Sequence, residues 1–413
     1  MRLTARVAFV VALSLLALLA QAQDEPSFLL ETITVEGGTA AAARIVVAES
    51  RLQEGQTAGE PELRDAMARI QRLPFILSAD FRLAKGSEPG RYVLVIVIRP
   101  MSRLFLNAGV TTTWSYEERR GRTPFDPVTT FLDQRRTSNL IAGGRAFVGR
   151  KGILTLAAER VEDRNDRFTL AFTQYDLFGT RASLTAVVTA MDNPGAIRSG
   201  DPKARNDWHF RDNFAYELIG VVPLGRNDSL RASWQRSYYP IRYVQFRPDG
   251  VYPILRSLPG IRKELFWIHD TTNDPLFPTS GTRITAGAIR TSMPTSGSTL
   301  LGRVKIDEYR ATLERSWPLT QSQALTLGAS GYQFDRRIDQ YRAFARYSVD
   351  LWSRERTLRW GDLRFELEGD RFLSVLDEDH FAESTARAGF AYRGAWGVLR
   401  MNFQYTGWRQ PEP

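Results

Sequence analysis

Asn273-Asp274-Pro275-Leu276-Phe277-Pro278-Thr279-Ser280-Gly281-Thr282-Arg283 is the stretch on which the fold is decided. Two prolines, an aspartate and a glycine in so short a run specify a turn, because proline fixes φ and lacks a donor while glycine accepts φ > 0. Its flanks, residues 263–271 and 284–291, have the composition of strands, so the stretch predicts the corner of an antiparallel hairpin. Leu276 and Phe277 are caught in the corner itself. A phenylalanine exposed in a turn needs an apolar neighbour, and a membrane interface would supply one. The competing reading is an ordinary hairpin of a soluble β-sandwich, and the rest of the chain has to separate the two.

The 413 residues carry a net charge of +9, no cysteine and 11% aromatic side chains. Residues 1–22 read as a secretory signal: Arg2 and Arg6 begin it, residues 7–19 form a short apolar core, and Ala20-Gln21-Ala22 is a cleavage site. An uncleaved anchor helix is the alternative, but the apolar run falls short of the ~20 residues that a span requires. No long apolar run follows. The exported chain is therefore either soluble or a β-barrel, the other arrangement lipid tolerates. Without cysteine, disulfide staples and thiol chemistry are excluded. The arginines are scattered through strands and loops rather than clustered, which argues against nucleic acid as a partner.

Residues 25–100 predict a small domain in the order strand, helix, helix, strand, strand. Residues 28–36 form the first strand, stopped by Gly37-Gly38, and residues 40–51 a first helix. Leu63, Met67 and Ile70 mark one face of a second. Residues 75–83 alternate with period two, placing Phe75, Leu77, Ala79, Phe81 and Leu83 together, and residues 92–98 are apolar on both faces, as in a central strand. On Ile33-Thr34-Val35-Glu36-Gly37, the helix through Ile70, and Leu73-Pro74-Phe75-Ile76-Leu77-Ser78-Ala79-Asp80-Phe81, this domain resembles a POTRA module, the β-α-α-β-β unit that precedes outer-membrane barrels of the BamA/TamA and two-partner-secretion superfamily. The resemblance implies that Ile76, Leu77, Ser78, Ala79, Asp80, Phe81, Arg82 and Leu83 form an edge strand able to accept an extended client. A domain that merely steadies a barrel mouth remains open.

Residues 103–408 alternate almost throughout. Phe168, Leu170 and Phe172 interleave with Thr169, Ala171 and Thr173; Leu363, Phe365 and Leu367 with Arg364, Glu366 and Glu368; Leu399, Met401, Phe403 and Tyr405 with Arg400, Asn402, Gln404 and Thr406. Periodicity alone does not say which face is wet. Roughly 300 residues without a helix are too many strands for one sandwich. Tryptophan and tyrosine recur near strand ends, as aromatic girdles require, and long polar loops alternate with short turns. The expected fold is an all-β transmembrane barrel of roughly 14 to 16 antiparallel strands, in an even number, behind the β-α-α-β-β domain. Arg310, Arg364 and Arg400 would line its lumen.

The superfamily resemblance is strongest in residues 263–408. Asp274, Pro275, Phe277, Pro278 and Gly281 match a surface-antigen turn, and residues 308–313, 388–392 and 397–403 look like strands that follow it. The early strands match only as a pattern. In the superfamily a long loop enters the lumen carrying an Arg-Gly-aromatic motif whose arginine meets acidic wall residues. The matching region here contains Tyr341, Arg342, Ala343 and Phe344, with alanine in place of glycine. A strand is the simpler reading, since Tyr341, Ala343, Ala345, Tyr347, Val349 and Leu351 alternate behind a short hairpin at residues 335–340. The superfamily's usual terminal aromatic is replaced by residues 409–413, so Phe403 and Tyr405 would have to act as the closing strand's recognition signal.

No lipase, metal, P-loop or dinucleotide pattern is present, and no cofactor is expected. His209, His269 and His380 are dispersed; His269 with Asp270 or Asp274 would be the one protease-like pair. The resemblance implies a Gram-negative outer-membrane protein with a periplasmic N-terminal domain, in contact with lipid and lipopolysaccharide. It would insert or translocate unfolded polypeptides at a seam between residues 103–113 and 398–406. A passive, anion-leaning pore and a structural anchor are the alternatives.

Overall fold

A computed structural model describes residues 26–409 except 74, 119–134, 150, 162–164, 179, 192–213, 248–249, 297–300, 335–337, 353–360 and 377–378. The signal, residues 119–134 of the long polar loop 116–136, the whole of the long polar loop 193–207, Trp208, His209 and Trp360 lie outside the described residues. The chain divides into two compact units, Met1–Met67 with Ala79–Ile98, and Ala68–Ser78 with Arg99–Pro413.

The N-terminal domain runs β1 (Ser27–Glu36), α1 (Ala40–Ser50), β2 (Thr57–Gly59), α2 (Glu60–Gln71), β3 (Ile76–Lys85) and β4 (Arg91–Pro100). The short β2 adds a strand to the expected order. It pairs antiparallel with β1 at the far edge, giving the sheet order β2-β1-β4-β3. Thr39 caps α1 by accepting from the Ala42 N–H at 3.3 Å. The apolar face expected for the second helix is buried at Leu63, Met67 and Ile70, and β4 is buried on both faces at Leu94, Val95 and Ile96, as its central place demands.

Among the described residues, the second unit forms a closed barrel of fifteen strands. In chain order they are β5 (Leu104–Glu118), β6 (Arg135–Val148), β7 (Gly152–Val161), β8 (Asn165–Leu177), β9 (Ala182–Met191), β10 (Phe214–Pro223), β11 (Asp228–Arg247), β12 (Gly250–Asp270), β13 (Gly281–Ser296), β14 (Leu301–Pro318), β15 (Gln323–Phe334), β16 (Ile338–Trp352), β17 (Asp362–Leu376), β18 (Asp379–Gly394) and β19 (Gly397–Arg409). Sequential neighbours pair antiparallel. The ring closes between β19 and β5, which run parallel from Gly397 opposite Leu106 to Arg409 opposite Glu118. The odd count corrects the expected even number. Evenness follows only if first and last strands must pair antiparallel, and a parallel ladder satisfies the backbone groups too.

Alternation now acquires a direction. Leu156, Phe168, Leu170, Leu367 and Phe403 are exposed on the outer wall, whereas Arg364 and Glu368 are only 4% and 5% exposed. Charge lies inside and the oily rows outside, the inverse of a soluble sandwich. Trp267, Trp317 and Trp396 are exposed near the ends of β12, β14 and β18, strands of like direction, so they share one rim. No described helix is long and apolar enough to cross a membrane, which says nothing of a β-barrel.

β11 and β12 are longer than the expected strands. They pair with each other over their whole length, but the pairing of β10 ends opposite Arg236 and that of β13 opposite Ile261. Beyond that, no further described strand pairs with either, which is why Pro240, Pro253 and Pro259 are tolerated within strands: among the described residues, their missing N–H groups face no third strand.

Leu94→Ala is expected to destabilise the N-terminal domain by about 2–5 kcal/mol. Limited proteolysis of the full chain should show earlier cleavage within residues 26–100, with the barrel fragment still protected.

Candidate functional site

The site is built on the turn between β12 and β13. Its conformation is written in side chain-to-backbone bonds. Asp274 Oδ1 accepts from the N–H groups of Leu276 at 2.8 Å and Phe277 at 3.1 Å, a bend that an aspartate makes readily. Asn273 Oδ1 accepts from the N–H groups of Thr279 and Ser280 at 3.0 and 3.1 Å. Gly281 has φ +103°, and a Cβ there would lie 2.3 Å from the Thr271 carbonyl oxygen, so glycine is required.

Phe277 is 2% exposed. Its neighbours correct the sequence reading: no membrane interface covers the ring. The guanidinium carbons of Arg393, Arg364 and Arg400 lie 4.7, 4.8 and 5.8 Å from its centroid. These arginines stand on β18, β17 and β19, with β14, β15, β16 and β17 intervening between the turn's own strands and β18. A contact over that separation is made only across the inside of the barrel. The turn therefore reaches through the mouth, and Leu276 packs against the cluster of Phe105 and Val398 at the foot of the β5–β19 seam.

Ion pairs hold this arrangement. Arg393 donates to Asp274 and, through Nη2 at 2.9 Å, to Asp362. Arg364 grips Asp350 with Nε and Nη2 at 2.6 and 3.2 Å. Arg400 donates to the Leu276 carbonyl at 3.3 Å. A guanidinium over an aromatic face is worth about 2 kcal/mol once water is excluded, so the ring holds the turn and shields the ion pairs together.

Further along the lumen Glu368 collects Arg342, Arg346 and Arg387 at 3.3, 2.6 and 3.6 Å, while Arg342 also reaches Asp370 at 2.7 Å. Arg310 pairs with Glu308 at 3.3 Å. The internal-loop reading of Tyr341, Arg342, Ala343 and Phe344 is overturned: all four lie in β16, paired with β15 and β17. Phe344 lies over Gly328, where a Cβ would come within 2.2 Å of its ring, so the missing side chain on β15 makes room for the aromatic. His269 contacts neither Asp270 nor Asp274. Its Nδ1 is 3.1 Å from Asp228 Oδ1, which also accepts from Trp267 Nε1, so it belongs to the aromatic rim.

Sequence reasoning missed Arg393, Asp362, Asp350 and Arg387. Alternation placed Arg364 and Arg400 on a polar face. Nothing in it said which carboxylate each would meet, because that needs strand register and the path of the turn across the mouth.

Of the expected edge strand, Ile76 and Leu77 are buried, Ser78, Ala79, Phe81 and Leu83 are half-buried, and Asp80 and Arg82 are exposed. Arg82 pairs with Glu36 at 2.5 Å.

Asp274→Ala should take one of the two carboxylates that Arg393 meets, together with the acceptor of the Leu276 and Phe277 N–H groups, and cost about 1–3 kcal/mol. Arg342→Ala, at a half-exposed guanidinium, should cost about 1 kcal/mol or less. Urea unfolding in micelles, followed by tryptophan fluorescence, checks the contrast.

No protein-family model matches the sequence, and no curated protein matches it. Among solved structures, the chain is similar to BamA from Haemophilus ducreyi lacking POTRA domains 1–3, at 12% identity and a TM-score of 0.41, over 93% of this chain and 82% of that one. It is similar to CdiB from Escherichia coli at 14% identity and a TM-score of 0.39, over 89% and 70%. OmpT, an outer membrane protein of Vibrio cholerae, aligns at 10% identity and a TM-score of 0.31, over 71% and 89%. The architecture of this chain, a small α/β domain followed in sequence by a closed β-barrel, rests on its own strand pairing.

Proposed function

We propose that this chain is an outer-membrane protein that inserts or translocates polypeptides, taking an extended client on the free side of β3. The observation that carries the reading is β3's place at the end of the sheet order, with β4 as its one neighbour. No proline interrupts residues 76–85, so the outward N–H and C=O groups form an unbroken template for β-augmentation. A captured strand would then pass along or beside the parallel β19–β5 seam. In this reading the N-terminal domain faces the periplasm and the outer wall meets lipid and lipopolysaccharide. The pore alternative has less behind it, because Arg310 and Arg364, two of its three lumen arginines, are each neutralised by a carboxylate.

Deletion is expected to lower the levels of particular surface proteins. Unchanged levels, together with steady single-channel conductance of the purified chain, would favour the pore. A narrower test places proline at two adjacent edge positions. Neighbouring residues of a strand send their N–H groups to opposite sides, so of Ala79→Pro and Asp80→Pro one removes an outward donor and the other a bond to β4. The outward one should reduce client crosslinking about fivefold, the worth of one hydrogen bond of about 1 kcal/mol, with the sheet intact.

A further inference from the structure

At the foot of the seam lies a cavity of about 560 Å³, bounded by the tip of the turn, the inner faces of β5, β6 and β19, and the segment from Gln71 to Leu77. Register places Phe105 opposite Arg145, Gly109 opposite both Ile141 and Arg400, and Thr111 opposite both Asn139 and Asn402. Gly109 projects no side chain into the space, which helps to keep it open.

Its charges are unlike those of the rest of the lumen. Arg342, Arg346, Arg364, Arg387 and Arg393 each meet a carboxylate within ion-pair distance. Arg145 and Arg400 line the cavity and meet none among the described residues. Arg400 is held by the Leu276 carbonyl and stands by the Phe277 ring; Arg145 stands near the Tyr175 phenol, a neutral group. Asp274 is the one carboxylate in the lining, and Arg393 occupies it. Glu366 shares a second recess of about 100 Å³ with Arg400, without an ion pair between them.

A guanidinium with no counter-charge in a confined space draws an anion, and the hydrogen bonds it makes to one are strong. Asn107, Asn139, Asn402 and Thr111 add polar contacts, while Leu276, Ile141, Val398 and Phe105 supply an apolar floor. The volume lies within the range of small-molecule sites. We infer that the cavity binds an anionic amphiphile, its carboxylate or phosphate on Arg145 and Arg400 and its hydrocarbon on the apolar floor by Leu276. Ile76 and Leu77 at the start of β3 also line the cavity, but Arg145 and Arg400 stand on β6 and β19, so the site survives if polypeptide capture on β3 fails.

The test uses the full chain in phosphatidylcholine nanodiscs and a twelve-carbon fatty acid with a diazirine at its tail. Photolabelling should saturate, map to peptides containing Ile141 or Leu276, and fall at least tenfold for the methyl ester of the same probe. Arg145→Gln should weaken labelling at least fivefold, and Arg145→Lys should retain most of it. Both variants should keep the heat-resistant electrophoretic mobility of a folded barrel. Labelling confined to outer-wall residues such as Leu156 and Phe168, equal for acid and ester, or unchanged in Arg145→Gln, would overturn the site. Full competition by inorganic phosphate at concentrations matching the probe would make the ligand a free anion and overturn the amphiphile assignment.

Discussion

The Asp274 carboxylate does two things at once. It folds its own turn by accepting from the Leu276 and Phe277 N–H groups, and it meets Arg393 on a strand far around the ring. Local conformation and long-range position thus share one side chain. The pair is almost fully removed from water, which is tolerable only because Asp362 meets the same guanidinium and Phe277 covers it. Without that turn, Arg364, Arg393 and Arg400 would lose the ring between them, and Phe105 and Val398 would lose Leu276.

The wall follows from a different constraint. Lipid accepts a sheet only if every backbone group is paired, so the barrel must close, and closure puts one face of each strand around a confined lumen. Most of the charges on that face are paired across strands. Glu368 gathers three arginines from β16 and β18, and Asp350 and Asp362 each take one from a neighbouring strand. Such pairs are weak evidence for stability, since desolvation offsets much of the attraction. Their clearer effect is on register: a one-residue slip would turn the same charges toward lipid.

Much of this architecture was legible because a barrel strand writes its two environments into alternate residues. Leu363 through Glu368 declares its pattern unaided, and the same pattern favoured a strand over an internal loop at Tyr341–Phe344, as β16 bears out. What alternation does not carry is which face is wet, how many strands close the ring, and what crosses it. The parallel meeting of β19 and β5 leaves no mark on either strand's composition. Phe277 is the instructive case. The sequence said correctly that the ring needed cover, but its cover comes from arginines 87 to 123 residues later in the chain. The brief β2 was hidden because three residues, Thr57–Gly59, are too few to show a period.

The absence of cysteine makes the central claim directly measurable. Single cysteines placed along β17 in the reconstituted chain, at Phe365, Glu366, Leu367, Glu368 and Asp370, can be tested with a membrane-impermeant maleimide and with a lipid-soluble one. Glu366→Cys, Glu368→Cys and Asp370→Cys are expected to react with the water-borne reagent, and Phe365→Cys and Leu367→Cys from the lipid phase alone. The reverse pattern, or equal reaction at every position in aqueous buffer, would contradict a barrel whose charged rows face its lumen.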